Sequence, residues 1–462
     1  MKRLTPLIAI TCALSAAPAA AQAPRETPPI PGAPKDFVLP TVHSFVLPNG
    51  LEITMAPYGA TPKVAVRLVL RTGNIDETPQ TTWLADLTRD LMLEGTTTRT
   101  AQQIAEEAAR YGGAVAFNVG INETSIGADV LSEFGPDMIR LIADIARNPK
   151  FPESELARLK ANRLRQVTVQ KSRQQSLANE QFLAVLYPNH PYGRLFPSEG
   201  QLQGYTIDQA RAFHAANYGA RRAHLFIVGR FDAAAIEAAI RQRFADWPPG
   251  SAPTFTAQTP KTSRVIYVVD RPGAVQSTIY LGLPVVDPSH PDFIALRVTN
   301  QILGGSFGSR ITSNIREQKG YTYSPFSTIN SFLKNAYWAE IADVTTNVTG
   351  ASLKEIFFEI DRLQSEPPSA EELESIKKYM AGIFVLQNSS REGIIGQLQF
   401  TDLHGLGDAY LRDLVRKIYA VTPAEVQRIA REYLNDDTMT IVIAGDRRVI
   451  EEQIKPFGRI IN

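Results

Sequence analysis

The sequence contains almost no cysteine. Cys12 is the only one in 462 residues, and it lies in an N-terminal segment that we expect to be removed. The mature chain would then form no disulfide and hold no metal through thiolate ligands, although an exported protein could have used both. Cys12 raises the alternative of a lipoprotein anchor, which the short apolar run before it and Thr11 at the preceding position disfavour.

Two other features are missing. The 48 basic and 47 acidic side chains give a net charge of +1, so no excess of positive charge favours nucleic acid as a partner. Beyond the N-terminal segment, no stretch approaches the length of a transmembrane helix. The hydrophobic content of 44% suits ordinary globular cores. Roughly 420 residues follow position 40, and that length suffices for two domains.

The N-terminus predicts export. A short positive region at residues 2–3 precedes the mostly apolar residues 4–17, and the alanines at 19–21 offer a cleavage site. This pattern is typical of a secretory signal peptide over residues 1–21. Residues 22–40 contain six prolines and are expected to form an extended lead-in instead of a domain. We therefore expect a periplasmic protein.

The remainder of the chain divides into two similar halves. Residues 205–232 and 421–448 both read as a capped amphipathic helix, a polar turn, an apolar strand and a glycine with an acidic turn. The two segments align without a gap. A second pair of similar helix starts, residues 152–160 and 370–378, precedes them. Matching at two places predicts an internal duplication.

The predicted fold class is α+β, with two homologous domains that are each an antiparallel sheet covered on one face by helices. Paired strands, such as residues 42–55 and 64–71, come first and long helices follow, as expected for that class. A segment rich in proline and glycine separates the halves. We therefore place an N-terminal domain at 41–247, a linker at 248–263 and a C-terminal domain at 264–459.

Five blocks of sequence carry a resemblance to a known family. They are VHSFVLPNGLEI at 42–53, WLADLTRDLMLEGTTTRT at 83–100, HPYG at 190–193, FIVGRFD at 226–232 and SFGSRITSNIREQKGYTYS at 306–324. The chain resembles the insulinase, pitrilysin and mitochondrial-processing-peptidase family of zinc peptidases over nearly its whole mature length. The second and last blocks are the most specific. The resemblance implies a fold of two related peptidase-like domains.

The resemblance also implies that the metal motif is degenerate. Active members carry H-x-x-E-H on the helix of the second block, with two histidines on one face to hold zinc and a glutamate as general base. The aligned positions here are Asp86, Arg89 and Asp90, and the third ligand position falls at Val167. We therefore expect no metal and no cofactor in this chain.

The residues themselves lead to the same expectation. Asp86 lies one helical turn from Arg89 and Asp90, so the three side chains share a face. A guanidinium between two carboxylates can neutralise them and repel a divalent cation, whereas a catalytic zinc ion needs three protein ligands and an open position. A solvated ion cluster on an ordinary helix is the alternative, and it also excludes zinc catalysis here. The six histidines show no ligand-like helical spacing.

The equivalent positions of the second half, Leu296, Thr299 and Asn300, do not restore the motif. The last block is retained, however. In active relatives it supplies an arginine and, seven residues later, a tyrosine that reach towards the zinc of the first domain. The resemblance assigns these roles to Arg316 and Tyr323.

The chemistry of that pair suits peptide hydrolysis. An arginine fork can bind a substrate carbonyl or carboxylate, and a phenol can donate to an oxyanion. Tyr321 competes with Tyr323 for the assignment. The ordinary alternatives are a surface arginine at 316 and a tyrosine packed on the sheet.

These expectations form one hypothesis: a periplasmic, non-zinc subunit of a heteromeric metallopeptidase, without independent zinc peptidase activity. Zinc would lie in a homologous partner subunit. This chain would bind and orient a peptide or unfolded protein and contribute Arg316 and Tyr323 to the partner's site. The alternative is a catalytically inert peptide-binding or scaffold protein of the cell envelope.

Overall fold

A computed structural model describes residues 40–256, 258–407 and 409–461. The predicted signal peptide, and all but the last residue of the proline-rich lead-in, lie outside the described residues. Among the described helices, none combines the length and the apolar composition needed to cross a bilayer.

The first half is built on a six-stranded sheet with the order β1-β2-β6-β3-β5-β4. Its strands are β1 (His43–Val46), β2 (Glu52–Pro57), β3 (Lys63–Leu70), β4 (Ala116–Val119), β5 (Thr124–Leu131) and β6 (Ala223–Gly229). Consecutive residues of the central strands β3 and β6 are buried. Near-continuous apolar strands of this kind are expected where both faces of a sheet are covered.

The described part of the first half contains eight α-helices: α1 (Leu84–Leu93), α2 (Ala101–Arg110), α3 (Gly135–Arg147), α4 (Glu153–Ser172), α5 (Gln174–Leu186), α6 (Glu199–Gly204), α7 (Ile207–Asn217) and α8 (Ala233–Phe244). Apolar residues of α1, α3, α7 and α8 form one core with the sheet. This core fixes α1, the helix with the degenerate motif, against one face of the sheet.

The second half repeats this plan with the strand order β12-β7-β11-β8-β10-β9. Its strands are β7 (Val265–Asp270), β8 (Gln276–Val285), β9 (Phe326–Phe332), β10 (Asn335–Thr345), β11 (Thr440–Gly445) and β12 (Arg459–Ile461). Strand β9 occupies the outer position that β4 occupies in the first sheet.

The helices of the second half are α9 (Phe293–Asn300), α10 (Arg310–Thr312), α11 (Thr349–Ser365), α12 (Ala370–Gln387), α13 (Arg391–Leu403), α14 (Ala409–Ala420), α15 (Pro423–Tyr433) and α16 (Arg447–Ile454). Two π-helical segments, Gln301–Gly305 and Ser313–Gln318, lie on either side of α10. Such segments are rare and often occur at functional sites.

The repeated sequence segments adopt the same structure in both halves. Helix α7 and strand β6 correspond to α15 and β11, and Thr206 and Thr422 cap the two helices by accepting from the backbone N–H of the third helical residue. The two-domain α+β fold is confirmed. The sheets are mixed, however, because the late strand of each half enters parallel to an early one: β6 beside β2, and β11 beside β7.

Each sheet is covered on its second face by a helix from the other half. Helix α5 lies against β8 and β11, where Phe182 contacts the rings of Tyr280 and Tyr337 at centroid distances of 4.8 and 5.5 Å. Helix α13 lies against β3 and β6, with Ile395 and Leu398 in its apolar contact. The two halves therefore share their hydrophobic cores.

Polar contacts reinforce the position of α13. Arg391 makes two hydrogen bonds of 2.8 Å to the carboxylate of Asp129 on β5. At the other end of the helix, Arg71 donates to the side chain of Asp402 at 2.7 Å. Because these bonds lie at the two ends of α13, they hold the helix in one position along the sheet.

Candidate functional site

The start of α1 is held by a buried acid. Trp83, the residue before the helix, has a left-handed backbone with φ of 66°. The carboxylate of Glu77 accepts from the backbone N–H groups of Trp83 at 3.0 Å and Ala85 at 2.9 Å, which a helix start otherwise leaves unpaired. Burial raises the pKa of Glu77 to about 8, although these backbone bonds act to lower it. Glu77 thus sets where α1 begins.

Arg163, on α4, lies between the two carboxylates of α1. Its Nε donates to Asp90 at 2.6 Å, and its Nη1 donates to Oδ1 of Asp86 at 3.1 Å. Its Nη2 donates to the backbone carbonyl of Asp86, also at 3.1 Å. The Arg163 side chain is only 6% exposed. Burial raises the pKa of Asp86, and the charge of Arg163 opposes that shift.

The structure brings Asp86, Arg89 and Asp90 together but gives Arg89 a smaller part than expected. Arg89 contacts Asp90 at 3.1 Å, whereas Arg163 joins both carboxylates. Sequence reasoning missed Arg163 because its partners are 73 and 77 residues away. One signal was available: Arg163 lies four residues before Val167, and both are on the buried face of α4.

This cluster does not fit a zinc ion. A catalytic zinc needs three protein ligands and an open position. Asp86 and Asp90 offer two carboxylates, both already bonded to a guanidinium whose charge repels a divalent cation. No catalytic step is therefore assigned to a metal at α1.

The equivalent helix of the second half, α9, also offers no ligands, because its side chains at the motif positions are buried or already hydrogen-bonded. Leu296 and Thr299 of α9 are fully buried, and Oδ1 of Asn300 accepts from Ser327 and from the indole of Trp338, both at 2.7 Å. None of these side chains is free to hold a ligand. The motif positions of the second half therefore serve packing.

Arg316 and Tyr323 meet at the surface of the second half. The Arg316 guanidinium carbon lies 5.2 Å from the centroid of the Tyr323 ring and 4.2 Å from that of Phe307. Tyr323 is 81% exposed and Phe307 is 73% exposed. The Nε of Arg316 also contacts the neighbouring Glu317 at 3.1 Å. Two exposed aromatic rings on one guanidinium form a surface that can stack on or donate to a bound chain.

The structure separates the two candidate tyrosines. Tyr321 is partly buried and packs against the core of the second half, and its backbone N–H donates to the carbonyl of Ile315. Tyr323 lines a cavity of about 310 Å³ together with Arg316. Tyr323 is therefore the tyrosine that can reach a bound molecule.

A second ion cluster, which sequence reasoning also missed, joins the halves. His224 on β6 lies with its Nδ1 3.3 Å from Asp402 of α13 and 3.7 Å from Glu52 of β2. Burial acts to raise the pKa of Asp402, but the hydrogen bond from His224 and the charge of Arg71 lower it overall. Because Arg71 bonds the same carboxylate, the cluster serves to attach α13 and is poorly suited to a cation.

Comparisons with known proteins agree with this architecture. Residues 55–196 match the family model described as insulinase (peptidase family M16), and residues 204–380 match the model described as the peptidase M16 inactive domain. The uncharacterized zinc protease YmxG of Bacillus subtilis is 22% identical over 87% of this chain and 98% of its own length. The uncharacterized zinc protease Mb2805c of Mycobacterium bovis is 25% identical over 95% and 97% of the two chains.

Solved structures show the same fold. A crystal structure of a peptidase M16 inactive domain from Pseudomonas fluorescens superposes with a TM-score of 0.80, at 26% identity, over 87% of this chain and 98% of that one. A protease from Helicobacter pylori superposes with a TM-score of 0.83, at 20% identity, over 88% and 100% of the two chains.

Proposed function

Since this chain belongs to the insulinase-like peptidases of family M16, we propose that it is the non-zinc subunit of a heteromeric metallopeptidase of the periplasm. A homologous partner would supply the zinc ion, the attacking water and the general base. This chain would supply a surface that binds and orients a peptide or unfolded protein.

One contrast carries the proposal. The face of α1 is occupied by the buried guanidinium of Arg163, whereas Tyr323 is exposed beside Arg316, which is partly buried but lines the same cavity. Core packing does not account for the position of Tyr323, because a side chain that is 81% exposed buries little of its ring. An exposed tyrosine beside an arginine that lines the same cavity is expected where a second molecule must be contacted.

The two side chains have separate tasks in the proposed reaction. The guanidinium of Arg316 binds a carbonyl or carboxylate of the peptide and orients it. The hydroxyl of Tyr323 donates a hydrogen bond to the carbonyl oxygen as negative charge develops there. Phe307 also packs on this guanidinium, with its ring centroid 4.2 Å from the guanidinium carbon.

The test is reconstitution with a co-purifying relative that carries an intact H-x-x-E-H motif. In the reconstituted pair, Tyr323→Phe should lower kcat about a hundredfold, which is typical for loss of one donor to a developing oxyanion. Arg316→Ala should lower kcat/KM, because the group that binds and orients the peptide is lost. Tyr321→Phe is the matched control and should leave kcat unchanged, because Tyr321 packs against the core.

Full activity in both the Arg316 and Tyr323 variants would disprove the catalytic part of the proposal. Purification of the chain from its native host decides the partner. Stoichiometric recovery of a zinc-bearing relative supports a heteromeric peptidase. Recovery of the chain alone, or with unrelated envelope proteins, supports the inert peptide-binding or scaffold protein.

A further inference from the structure

A buried acid lies next to the cavity of about 310 Å³ that contains Arg316 and Tyr323, here called the site cavity. Glu340, on β10, is fully buried, and neither of its carboxyl oxygens has a hydrogen-bond partner among the described residues. Its side chain shares a face of the strand with Trp338 and Ala342, which belong to the core of the second half. Because an unpaired polar group in a core destabilises the fold, packing alone does not account for an acid at this position.

Gly304 lies between this carboxyl and the site cavity. It belongs to the π-helical segment Gln301–Gly305 and lines the site cavity. A Cβ on Gly304 would lie 2.5 Å from Oε2 of Glu340 and 2.5 Å from Oγ of Ser327. Only the backbone of a glycine therefore covers the acid on this side, and the same backbone forms a wall of the site cavity.

The Gln301–Gly305 segment is held less firmly than an ordinary helix. Its π-helical backbone is a rare conformation. Oε1 of Gln301 and Oγ of Ser306 are also buried without a hydrogen-bond partner among the described residues. Segments with unpaired polar groups are expected to open locally at a lower free energy than a fully bonded core. The wall can therefore move without unfolding of the second half.

The titratable groups of the elements packed around Glu340 leave it without a charged partner. Strand β9 and the Gln301–Gly305 segment contribute none. Those of β8 and β10 lie on the opposite face of the sheet and are Tyr280, Tyr337 and Asp343. The charged residues of α9 and α11 that are at least partly buried are Arg297, Glu355, Glu359 and Arg362. None of these groups alters the pKa of Glu340, which burial alone raises well above its usual range.

An ionised Glu340 could not keep this position. A carboxylate that is buried without a partner carries a large desolvation cost, which is removed when water reaches it. Movement of the Gln301–Gly305 segment away from Glu340 would open the carboxylate to the site cavity and hydrate it. The same movement would displace one wall of that cavity.

We propose that Glu340 is a proton-controlled positioning residue for the site formed by Arg316 and Tyr323. When Glu340 is protonated, the Gln301–Gly305 segment packs on it and closes the wall of the site cavity. When the proton is released to water, the segment moves aside and the cavity loses its shape. The site would thus be formed at acidic pH and lost as pH rises. This inference rests on the proposed function only where it treats the cavity as a peptide site.

The test is amide hydrogen exchange of the mature chain alone from pH 5 to 8, corrected for the intrinsic pH dependence of exchange. Residues 301–306 should exchange faster than β3 at every pH, because they open locally. Their protection should fall by up to about tenfold per pH unit, since each unit between the pKa values of the open and closed forms shifts the opening equilibrium tenfold.

Glu340→Gln keeps the shape of the side chain and cannot ionise, so the pH dependence of protection at residues 301–306 should disappear. Glu359→Gln is the matched control, because it makes the same change at another buried acid of the second half and should keep the wild-type pH dependence. If Glu340→Gln does not fold, Gly304→Ala is the second variant. Its Cβ would press on the carboxyl and should lower protection of the segment at pH 5 about tenfold or more.

Equal pH dependence in wild type and Glu340→Gln would overturn the inference, as would wild-type protection in Gly304→Ala. Exchange of residues 301–306 no faster than that of β3 would also overturn it, because opening would then be global unfolding. The two proposals fail separately. A segment indifferent to pH, in a chain whose reconstituted pair still depends on Arg316, overturns only this inference. A pH-dependent segment in a pair indifferent to Arg316 and Tyr323 overturns the proposed function instead.

Discussion

Replacement of Arg163 tests whether this side chain holds the two acids at the degenerate metal motif of α1. Arg163→Met keeps an unbranched side chain of similar length but removes the charge between Asp86 and Asp90. Three hydrogen bonds to these two residues are lost, two of them to carboxylates. Removing one partner of a buried ion pair costs about 3–5 kcal/mol, because the remaining charge is left without compensation.

The lower end of that range applies here. The side chains of Asp86 and Asp90 are 17% and 15% exposed, so water can reach part of each carboxylate once the guanidinium is gone. Asn74 still donates to Asp86 at 2.9 Å. We therefore expect the free energy of unfolding to fall by about 3 kcal/mol at pH 7, measured by urea denaturation.

The loss should depend on pH. The pKa of Asp86 is already raised by burial, and removal of Arg163 raises it further. A carboxyl whose pKa is higher in the folded than in the unfolded protein destabilises the fold as pH rises above its unfolded value. The effect of Arg163→Met should therefore shrink as pH falls towards about 4.

Two further variants control this experiment. Arg158→Met removes an arginine from the same helix whose side chain is 51% exposed, and it should leave the urea midpoint nearly unchanged. Asp86→Asn and Asp90→Asn, added to Arg163→Met, remove the uncompensated charges and should recover most of the stability. Wild-type stability in Arg163→Met alone, at pH 7, would refute the assignment of Arg163 as the group that holds these acids.

Three other predictions concern the fold. Burial raises the pKa of Glu340 well above its usual range, so this side chain should destabilise the fold as pH rises above about 4.3, and Glu340→Gln should make stability fall less between pH 5 and 8 in urea titrations. Arg391→Ala breaks the bidentate contact with Asp129 and should cost about 1 kcal/mol, with faster hydrogen exchange in α13; unchanged exchange would contradict it. Gly304→Ala would place Cβ 2.5 Å from the Glu340 carboxylate and should cost about 2 kcal/mol. Gly382→Ala, on an open part of α12, should instead stabilise by a few tenths of a kcal/mol or more, and equal melting temperatures for the two alanine variants would contradict the expected difference between them.

The sequence predicts much of the fold because its signals are local. The N-cap threonines Thr206 and Thr422, the helical periodicity after them and the apolar strands are all readable within 30 residues. The sequence does not show that β6 and β11 pair in parallel with β2 and β7, because that pairing depends on which strand of the sheet has a free edge. The exchange of α5 and α13 is also hidden, since an apolar helix face does not show which sheet will cover it.

Family resemblance singled out Asp86, Asp90, Arg316 and Tyr323 as site positions, and the structure places the members of each pair together; their roles stay predictions. It could not locate Arg163, whose contacts arise only when α4 packs on α1. Which arginine pairs with which distant carboxylate depends on how the helices pack. Composition therefore does not distinguish Arg163 from the other arginines of the chain.

The exchanged helices make the halves mutually dependent. Either half alone would expose the sheet face that its neighbour's helix now covers, including Tyr280 and Tyr337 in the second half and Phe226 in the first. Limited proteolysis between the halves should therefore yield fragments that remain associated. The same arrangement is available to two copies of a single half, each lending a helix to the other. Gene fusion of such a domain-swapped homodimer would give this chain, and afterwards each half would be free to lose what the other retained.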